Sequence, residues 1–125
     1  METVVDLGEK VDATLRVMEA GDLAGLRALC AADATVWQND GAGTRTIEKR
    51  IEHIAEFFAG IESVRFEVVR RFHKPDEVLQ QHVLHLVGTD GVRSRVHATA
   101  HFRFEDGLIA SVEEYLYEVP EAPQA

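Results

Sequence analysis

The sequence predicts an α+β fold in which three N-terminal helices cover one face of a curved, mixed or antiparallel sheet. Up to Gly60 the apolar residues recur every three or four positions, which is the spacing of helices with one buried stripe. After Gly60 they alternate with polar residues between turn signals, which is typical of an antiparallel meander. Helices that precede a meander indicate an α+β fold, and a curved sheet closed by helices at one end forms a cone that can hold a pocket.

Three helical segments precede the meander. The first runs over residues 4–18, and the second follows Asp22, which can cap it. A strand over residues 34–38 and a glycine-rich turn come next. The third helix begins at Thr44 or Thr46, and Gly60 ends it.

Four strands follow, separated by turn residues. They are predicted over residues 64–69, 77–88, 92–104 and 108–118. Aspartate-glycine between two alternating runs is a strong hairpin signal, and it occurs at Asp90-Gly91 and at Asp106-Gly107.

The composition indicates one compact domain. Of the 125 residues, 46% are hydrophobic and 28% are charged, which is enough for a single core. We assign residues 1–118 to this domain and residues 119–125 to a C-terminal tail. The 22 acidic and 13 basic residues give a formal charge of -9. This charge disfavours nucleic acids and anionic membrane surfaces as partners, because their phosphates would be repelled.

We expect a reduced, cytoplasmic setting. The single cysteine, Cys30, excludes an internal disulfide and a multi-cysteine metal site. Glu2 and Asp6 stand where a signal peptide would carry basic residues. No apolar run approaches the roughly 18 residues that span a bilayer.

Four motifs resemble the nuclear transport factor 2-like superfamily, and its ketosteroid isomerase and SnoaL-like polyketide cyclase branches are the most similar. The motifs are Gly21-Asp22-Leu23, Ala32-Asp33-Ala34-Thr35-Val36, Glu56-Phe57-Phe58, and His101-Phe102-Arg103-Phe104 followed by Glu105-Asp106-Gly107. The resemblance extends from about Val4 to Tyr117. It implies a cone-shaped, cystatin-like α+β barrel, an apolar cavity and frequent dimerisation through the outer sheet face. It leaves the activity open, because the superfamily contains isomerases, cyclases, hydrolases, dehydratases and non-catalytic binders.

The catalytic residues of ketosteroid isomerases do not carry over to this sequence. The resemblance places Gln38 at the position of their general-base aspartate and Thr14 at that of their oxyanion-hole tyrosine. It places Ala100 at the position of their protonated aspartic acid, and SnoaL-like cyclases also use an acid near that position. Glutamine cannot act as the base and alanine cannot donate a hydrogen bond, so steroid isomerisation by that mechanism is disfavoured.

The first hairpin decides which side chains of the predicted strands 77–88 and 92–104 face the pocket. A two-residue Asp90-Gly91 turn would set Ala100 opposite Gln81 and Val96 opposite His85. The inner face would then carry Gln81, Val83, His85, Val87, Ala98, Ala100, Phe102 and Phe104. A three-residue loop beginning at Thr89 would instead turn one strand over.

The second hairpin has two possible registers as well. A three-residue Glu105-Asp106-Gly107 loop would set Glu114 opposite Ala98 and would point Val112, Glu114 and Leu116 inward. A two-residue turn would point Glu113, Tyr115 and Tyr117 inward. Either register offers the pocket one carboxyl group from the last strand, and Glu114 is preferred.

Three residues are candidates for acid-base catalysis. His85, among valines, would be held neutral and able to accept a proton, unless it is a hydrogen-bonded core histidine or points outward. Glu114 is a candidate buried acid, or else a solvated or arginine-paired group. Asp40 could reach over the mouth of the pocket, although an Asn-Asp-Gly run is also ordinary turn chemistry.

The remaining candidates would line the pocket. Beside the acid-base groups, the predicted ligand-binding residues are Val36, Gln38, Phe57, Phe58, Gln81, Val83, Ala98, Ala100, Phe102, Phe104, Val112 and Leu116. Two small residues in mid-sheet, Ala98 and Ala100, leave volume that favours a hollow over a solid core.

No metal site and no cofactor are predicted. The histidines do not converge as a closed zinc site requires. They fit a homodimer patch on the outer sheet face instead, and the predicted patch consists of His82, His97, Thr99, His101 and Arg103.

Three functions remain open from the sequence. The first is an enzyme that transfers protons on a small, largely nonpolar molecule, by isomerisation, cyclisation or hydrolysis. The second is a non-catalytic protein that binds such a molecule. The third is a dimerisation module.

Overall fold

A computed structural model describes residues 6–120 of the protein. Its elements are α1 (Leu7–Glu19), α2 (Leu23–Ala28), β1 (Cys30–Gln38), β2 (Thr44–Thr46), α3 (Ile47–Phe58), β3 (Ile61–Lys74), β4 (Glu77–Gly88), β5 (Arg93–Glu105) and β6 (Leu108–Pro120). The strands form one sheet in the order β2-β1-β6-β5-β4-β3. Strands β1 and β6 are parallel, and the other neighbours are antiparallel. The predicted α+β fold, with three helices against a curved mixed sheet, is confirmed.

Side-chain caps begin all three helices. Asp6 caps α1, Asp22 caps α2 and Thr46 caps α3, each by accepting a hydrogen bond from a backbone N–H in the first turn. The predicted start of the first helix at Val4 lies outside the described residues. Of the two predicted starts of the third helix, Thr46 is the cap, and Thr44 belongs to the short strand β2, which the sequence did not indicate.

The core lies between the helices and the inner face of the sheet. Val11 and Leu15 of α1 are almost fully buried, and α1 packs mainly on β3. Val78 of β4 and Ala100 of β5 meet the core from the sheet and are fully buried. The helical stripes predicted from the apolar spacing therefore face the sheet, as expected.

The hairpin between β4 and β5 has a three-residue loop, so the predicted two-residue turn is wrong. His82 pairs with Ala98 and Gln80 pairs with Ala100. Gly91 adopts a left-handed φ of 82°, and its N–H donates to the carbonyl of Gly88. Aspartate-glycine suits a turn followed by a left-handed glycine as well as it suits a two-residue turn, and the structure uses the former.

This loop turns the side chains of β4 over relative to the prediction. The inner face of β4 carries Val78, Gln80, His82, Leu84 and Leu86, whereas Gln81, Val83, His85 and Val87 lie on the outer face. The assignments for β5 are correct, since Ala98, Ala100, Phe102 and Phe104 are all buried on the inner side. A shift of one residue in the pairing is enough for this change, because side chains alternate along a strand.

The hairpin between β5 and β6 combines a two-residue turn with a bulge. Asp106 and Gly107 have φ values of 51° and 78°, as a type I′ turn requires. The pairing then shifts between Arg103 and Phe104, which leaves Ala110 as the extra residue. The bulge restores the inward direction of Glu114, which lies opposite Ala100 and not opposite Ala98 as predicted.

The last strand extends past the predicted domain end at residue 118. Val119 pairs with Arg95 and Pro120 pairs with Ser94. The remaining residues of the predicted tail, 121–125, lie outside the described part of the chain.

Candidate functional site

A pocket of about 80 Å³ lies between the helices and the inner sheet face. Its wall is mainly apolar and includes Leu15, Ile54 and Phe66. Four polar side chains also line it, from four different elements: Thr14 (α1), Arg50 (α3), His82 (β4) and Glu114 (β6). An apolar wall with a few convergent polar groups is the usual composition of a small-molecule site.

Glu114 presents its carboxyl group to this pocket from the middle of β6. Its side chain is 14% exposed. The oxygen Oε1 accepts a hydrogen bond from Gln38 Nε2 at 3.2 Å, and Arg50 Nη2 lies 3.8 Å from the same oxygen. No residue within 6–120 donates a hydrogen bond to the second oxygen, Oε2. One oxygen is therefore held by the protein and the other is available to a ligand.

Gln38 is held in place by an arginine on its other side. Arg45 Nη1 donates to Gln38 Oε1 at 2.7 Å, and Arg45 Nη2 donates to Asp40 Oδ2 at 2.6 Å. A guanidinium can only donate, so it fixes which end of the Gln38 amide faces Glu114. Hydrogen bonds from Arg45 and from the Ala42 backbone lower the pKa of Asp40, which lies at the exposed end of this network. Asp40 thus anchors Arg45 and does not face the pocket.

A second hydrogen-bond chain leads to His82 on the other side of the pocket. Asp12 Oδ1 accepts from Arg71 Nη2 at 2.7 Å, and Arg71 Nε donates to Gln80 Oε1 at 2.8 Å. Gln80 Nε2 lies 2.9 Å from His82 Nδ1. The His82 ring also packs edge-on against Phe66, with 5.5 Å between the ring centroids.

His82 is neutral at physiological pH. Burial lowers the pKa of His82 to about 4, and the nearby positive charge of Arg71 adds to this effect. A neutral imidazole has one nitrogen that donates and one that accepts, so it can serve as a fixed hydrogen-bonding group in an apolar pocket.

The structure brings only part of the predicted site together. Five predicted residues line the pocket, namely Val36, Phe102, Val112, Glu114 and Leu116. Gln38 reaches the pocket through Glu114, and Ala100 and Phe104 belong to the solid core. The two-residue turn had led us to expect Gln81, Val83 and His85 inside, and the observed loop places them on the outer face.

Other predicted residues lie away from the pocket. Phe57 is 43% exposed, and Phe58 borders a separate surface depression beside the end of α1. Ala98 is buried on the inner side of β5 but does not line the pocket. His85 Nε2 lies 2.8 Å from Glu67 Oε1 in an exposed pair on the outer face.

Sequence reasoning missed His82 and Arg50. His82 had been assigned to the outer face as part of the dimer patch, and the three-residue alternative for the first hairpin would have placed it inside. Arg50 lies one turn into α3 among exposed charged residues, and its spacing gave no sign that it turns toward Glu114.

No group of three or more metal-ligating side chains occurs within residues 6–120. No helix in this part of the chain is long and apolar enough to cross a membrane.

Comparison with known proteins places this arrangement in a family. The profile of the SnoaL-like domain matches residues 11–112, which is most of the chain. The chain belongs to the SnoaL-like domain family. The match begins at Val11 within α1, includes all of α2 and α3 and the strands up to Val112 of β6, and ends two residues before Glu114.

Solved structures share the fold at low sequence identity. AclR from Streptomyces galilaeus has a TM-score of 0.82 and 13% identity, over 92% of this chain and 91% of that one. A protein from Shewanella denitrificans, provisionally described as a SnoaL-like polyketide cyclase, has a TM-score of 0.77 and 10% identity, over 88% and 89%. An epoxide hydrolase of Mycobacterium tuberculosis, described as LEH-like, has a TM-score of 0.72 and 17% identity, over 87% and 80%. No curated protein matches the sequence significantly.

Proposed function

We propose that this SnoaL-like domain binds a small, largely apolar molecule in its pocket and transfers a proton on it, with Glu114 as the acid-base group. One observation supports this most directly: a carboxyl group inside an apolar pocket has one oxygen held by Gln38 and Arg50 and the other free. A positioned carboxyl group within hydrogen-bond reach of a bound molecule is the minimum that general acid-base catalysis needs.

The proposed step uses the free oxygen of Glu114. Oε2 removes a proton from a carbon next to a carbonyl group and returns it to another atom of the same molecule. Gln38 and Arg50 keep Oε1 in place throughout, so the carboxyl group does not have to reorient between the two transfers. The walls around Glu114 are mainly apolar, so they offer few groups that compete for the proton.

The pocket limits the size of the molecule. Its volume of about 80 Å³ is small beside the roughly 300 Å³ at which drug-sized sites begin. A small monocyclic molecule is therefore a better match than a polycyclic one.

Hydrogen–deuterium exchange into a simple ketone tests the proposal. Cyclohexanone is incubated with the protein in deuterated buffer, and deuterium uptake at its α-carbons is followed by NMR. We expect exchange above the buffer rate, and we expect Glu114→Gln to reduce it about 10²-fold or more, because a positioned base contributes about that much. Glu113→Gln is the matched control, since Glu113 is an exposed residue with the same charge on the outer face. Equal rates in the wild type and Glu114→Gln would contradict the assignment of Glu114.

Non-catalytic binding is the second candidate function. The position at which the isomerase and cyclase branches carry an acid holds Ala100, so Glu114 is the one carboxyl group lining the pocket among the described residues. If cyclohexanone binds equally to the wild type and to Glu114→Gln and neither promotes exchange, the pocket is a binding site only.

We also propose that two copies associate through the outer sheet face, in the cytoplasm. Support comes from a depression of about 400 Å³ there, flanked by Tyr115 and Tyr117, which are 58% and 64% exposed. The ring of His97 stacks on Tyr117 with 5.5 Å between centroids. Three further members of the predicted patch, Thr99, His101 and Arg103, lie on the same face of β5, whereas His82 faces the pocket.

Sedimentation velocity tests this association. We expect a dimer that Tyr117→Glu dissociates, because the new charges of the two copies would face each other. A monomer in the wild type, or an unchanged dimer in Tyr117→Glu, would contradict the proposal.

A further inference from the structure

The chain from Asp12 to His82 reaches the pocket from outside and ends on a ring that the proposed acid-base step does not use. We propose that Arg71 and Gln80 are positioning residues that hold His82 in the tautomer protonated on Nε2, so that the pocket offers a neutral N–H donor to a carbonyl-type oxygen of the ligand. This inference rests on the proposed binding of a small molecule in the pocket. It adds the substrate class, a molecule with an acceptor oxygen.

The argument begins at Arg71, because its chemistry admits one hydrogen-bonding role. Arg71 Nε can only donate, so the Gln80 atom that it contacts at 2.8 Å must be the carbonyl oxygen. The other end of the same amide, Nε2, then points to His82 Nδ1 at 2.9 Å. An amide nitrogen can only donate, so Nδ1 must accept and the ring proton must reside on Nε2.

Burial stabilises this orientation of the Gln80 amide. Gln80 is fully buried and His82 is 3% exposed. If the amide turned over, the carbonyl oxygen would lose the Arg71 donor and Arg71 Nε would face an NH₂ group, and unmade hydrogen bonds of buried groups are costly. The edge-on contact with Phe66 restricts rotation of the ring as well.

The Nε2–H group remains available to a ligand. No residue within 6–120 accepts a hydrogen bond from His82 Nε2. In the same part of the chain, Arg95 Nε is the one side-chain polar atom that is both sealed off and unpartnered. His82 Nε2 is therefore not sealed. Because His82 lines the pocket, we infer that a molecule bound there reaches this nitrogen.

The positions of His82 and Glu114 suit a bridging ligand. Both face the pocket, with one strand between them: His82 pairs with Ala98, and Glu114 pairs with Ala100. At usual strand spacings their Cα atoms lie about 12 Å apart, which leaves room for one small ring between the two side chains. A ketone bound with its oxygen on His82 Nε2–H would place a carbon acid toward Glu114, and the donor would stabilise the enolate as it forms.

Nitrogen NMR of the unliganded protein tests the tautomer directly. Two-bond ¹⁵N–¹H correlation spectra at pH 7, assigned with His82→Gln, distinguish a ring protonated on Nε2 from one protonated on Nδ1. We expect Nε2–H in the wild type and Nδ1–H in Gln80→Glu, because a carboxylate accepts where the amide donated and Arg71 already balances its charge. Gln81→Glu is the matched control, since the neighbouring residue is exposed on the outer face, and it should leave the His82 signals unchanged.

A probe pair tests what the tautomer is for. Cyclohexanone and methylenecyclohexane have nearly the same shape, but only the ketone accepts a hydrogen bond. In NMR titrations we expect Gln80→Glu to lower the affinity for the ketone relative to the alkene by about fivefold to tenfold, the value of one hydrogen bond. A wild-type ring protonated on Nδ1, or an unchanged ratio of affinities in a folded Gln80→Glu, would overturn the proposal.

The tests of the His82 tautomer can fail or succeed independently of the test of Glu114 as the acid-base group. The tautomer and the probe ratio are measured without turnover, whereas the role of Glu114 depends on deuterium exchange. If Gln80→Glu does not fold, the wild-type tautomer still decides, because a proton on Nδ1 contradicts the proposal by itself.

Discussion

Gln38 on β1 donates through Nε2 to Glu114 Oε1 on β6, 3.2 Å away, across the one parallel strand pair in residues 6–120. The two residues are also direct partners in the strand register. At the position where the resemblance to ketosteroid isomerases places a general base, this chain has an amide, and the carboxyl group stands on the adjacent strand. Gln38 therefore orients the Glu114 carboxyl group from the neighbouring strand.

Gln38→Met should destabilise the fold. The substitution keeps the side-chain length but removes an acceptor from Arg45, whose side chain is 8% exposed, and a donor from Glu114. Groups left without partners in this way cost about 1–3 kcal/mol in the free energy of unfolding. Urea denaturation measures this loss. Asp40→Asn is the control: Asp40 is 46% exposed, so removing its charge should lower the free energy of unfolding less than Gln38→Met does. If both variants lost the same free energy of unfolding, the hydrogen bonds of Gln38 would make no contribution of their own to stability.

An acid at position 100, where the resemblance to ketosteroid isomerases places one, should be strongly unfavourable in this protein. Ala100 is fully buried and lies opposite Glu114, so Ala100→Asp would place a second carboxyl group beside the first. We expect a loss of about 3–5 kcal/mol, as for an uncompensated buried charge. Ala100→Asn, with the same shape and no charge, should lose less.

The double variant Ala100→Asp/Glu114→Ala isolates the repulsion. If the two carboxyl groups repel each other, this variant should be more stable than the sum of the single changes predicts, and a double-mutant cycle measures the difference. Strict additivity would mean that Ala100 is small for packing reasons only.

Much of the fold followed from the sequence because helix and strand periods depend on local spacing. The stripe containing Val11 and Leu15 and the alternation around Phe102 were enough to predict the helices, the meander and their mutual packing. The short strand β2 was not predicted, because three residues are too few to show a repeating pattern of apolar side chains.

The site was predicted less well, because strand faces depend on loops that local spacing does not determine. Asp90-Gly91 and Asp106-Gly107 are the same dipeptide, yet the first ends a three-residue loop and the second forms a complete two-residue turn. Because of the three-residue loop, the histidine that faces the pocket is His82, whereas the prediction had placed His85 there. In the second hairpin the bulge at Ala110 compensated for the turn, so Glu114 faces inward as predicted although the register that supported it was wrong.

As the pH falls below neutral, the free energy of unfolding should decrease, and part of this decrease should depend on His82. Its pKa is about 4 in the folded protein, because of burial and then the charge of Arg71, against an ordinary value of 6.5. Above about pH 6.5 both the folded and the unfolded chain hold it neutral, so it has no effect. Between these two pKa values only the unfolded chain binds the proton, so the free energy of unfolding falls as the pH falls, by roughly 3 kcal/mol at pH 4.

Urea denaturation between pH 7 and pH 4.5 checks this dependence by comparing slopes. The wild type should lose stability more steeply than His82→Gln, whose side chain cannot be protonated. The absolute stability of the variant does not matter for this comparison, because only the pH dependence reports the proton. Parallel curves would show that His82 is not held neutral by the fold.

Cys30 should be almost unreactive while the protein is folded. Burial raises the pKa of the Cys30 thiol to about 11. The positive charge of Arg27 opposes this shift and the negative charge of Glu48 adds to it. Cys30 lies on the wall of the pocket and is 6% exposed. The thiolate is the nucleophile, and raising the thiol pKa from 9.0 to about 11 reduces its population about 100-fold. We therefore expect alkylation by iodoacetamide at pH 8 to be at least about 100-fold slower than at an exposed cysteine. Mass spectrometry of the wild type and of Cys30→Ser/Thr89→Cys, which moves the thiol to the exposed β4–β5 loop, measures both rates. Both proteins should react alike in urea, and rapid labelling of native Cys30 would instead mean that the pocket opens to solvent often enough to admit the reagent.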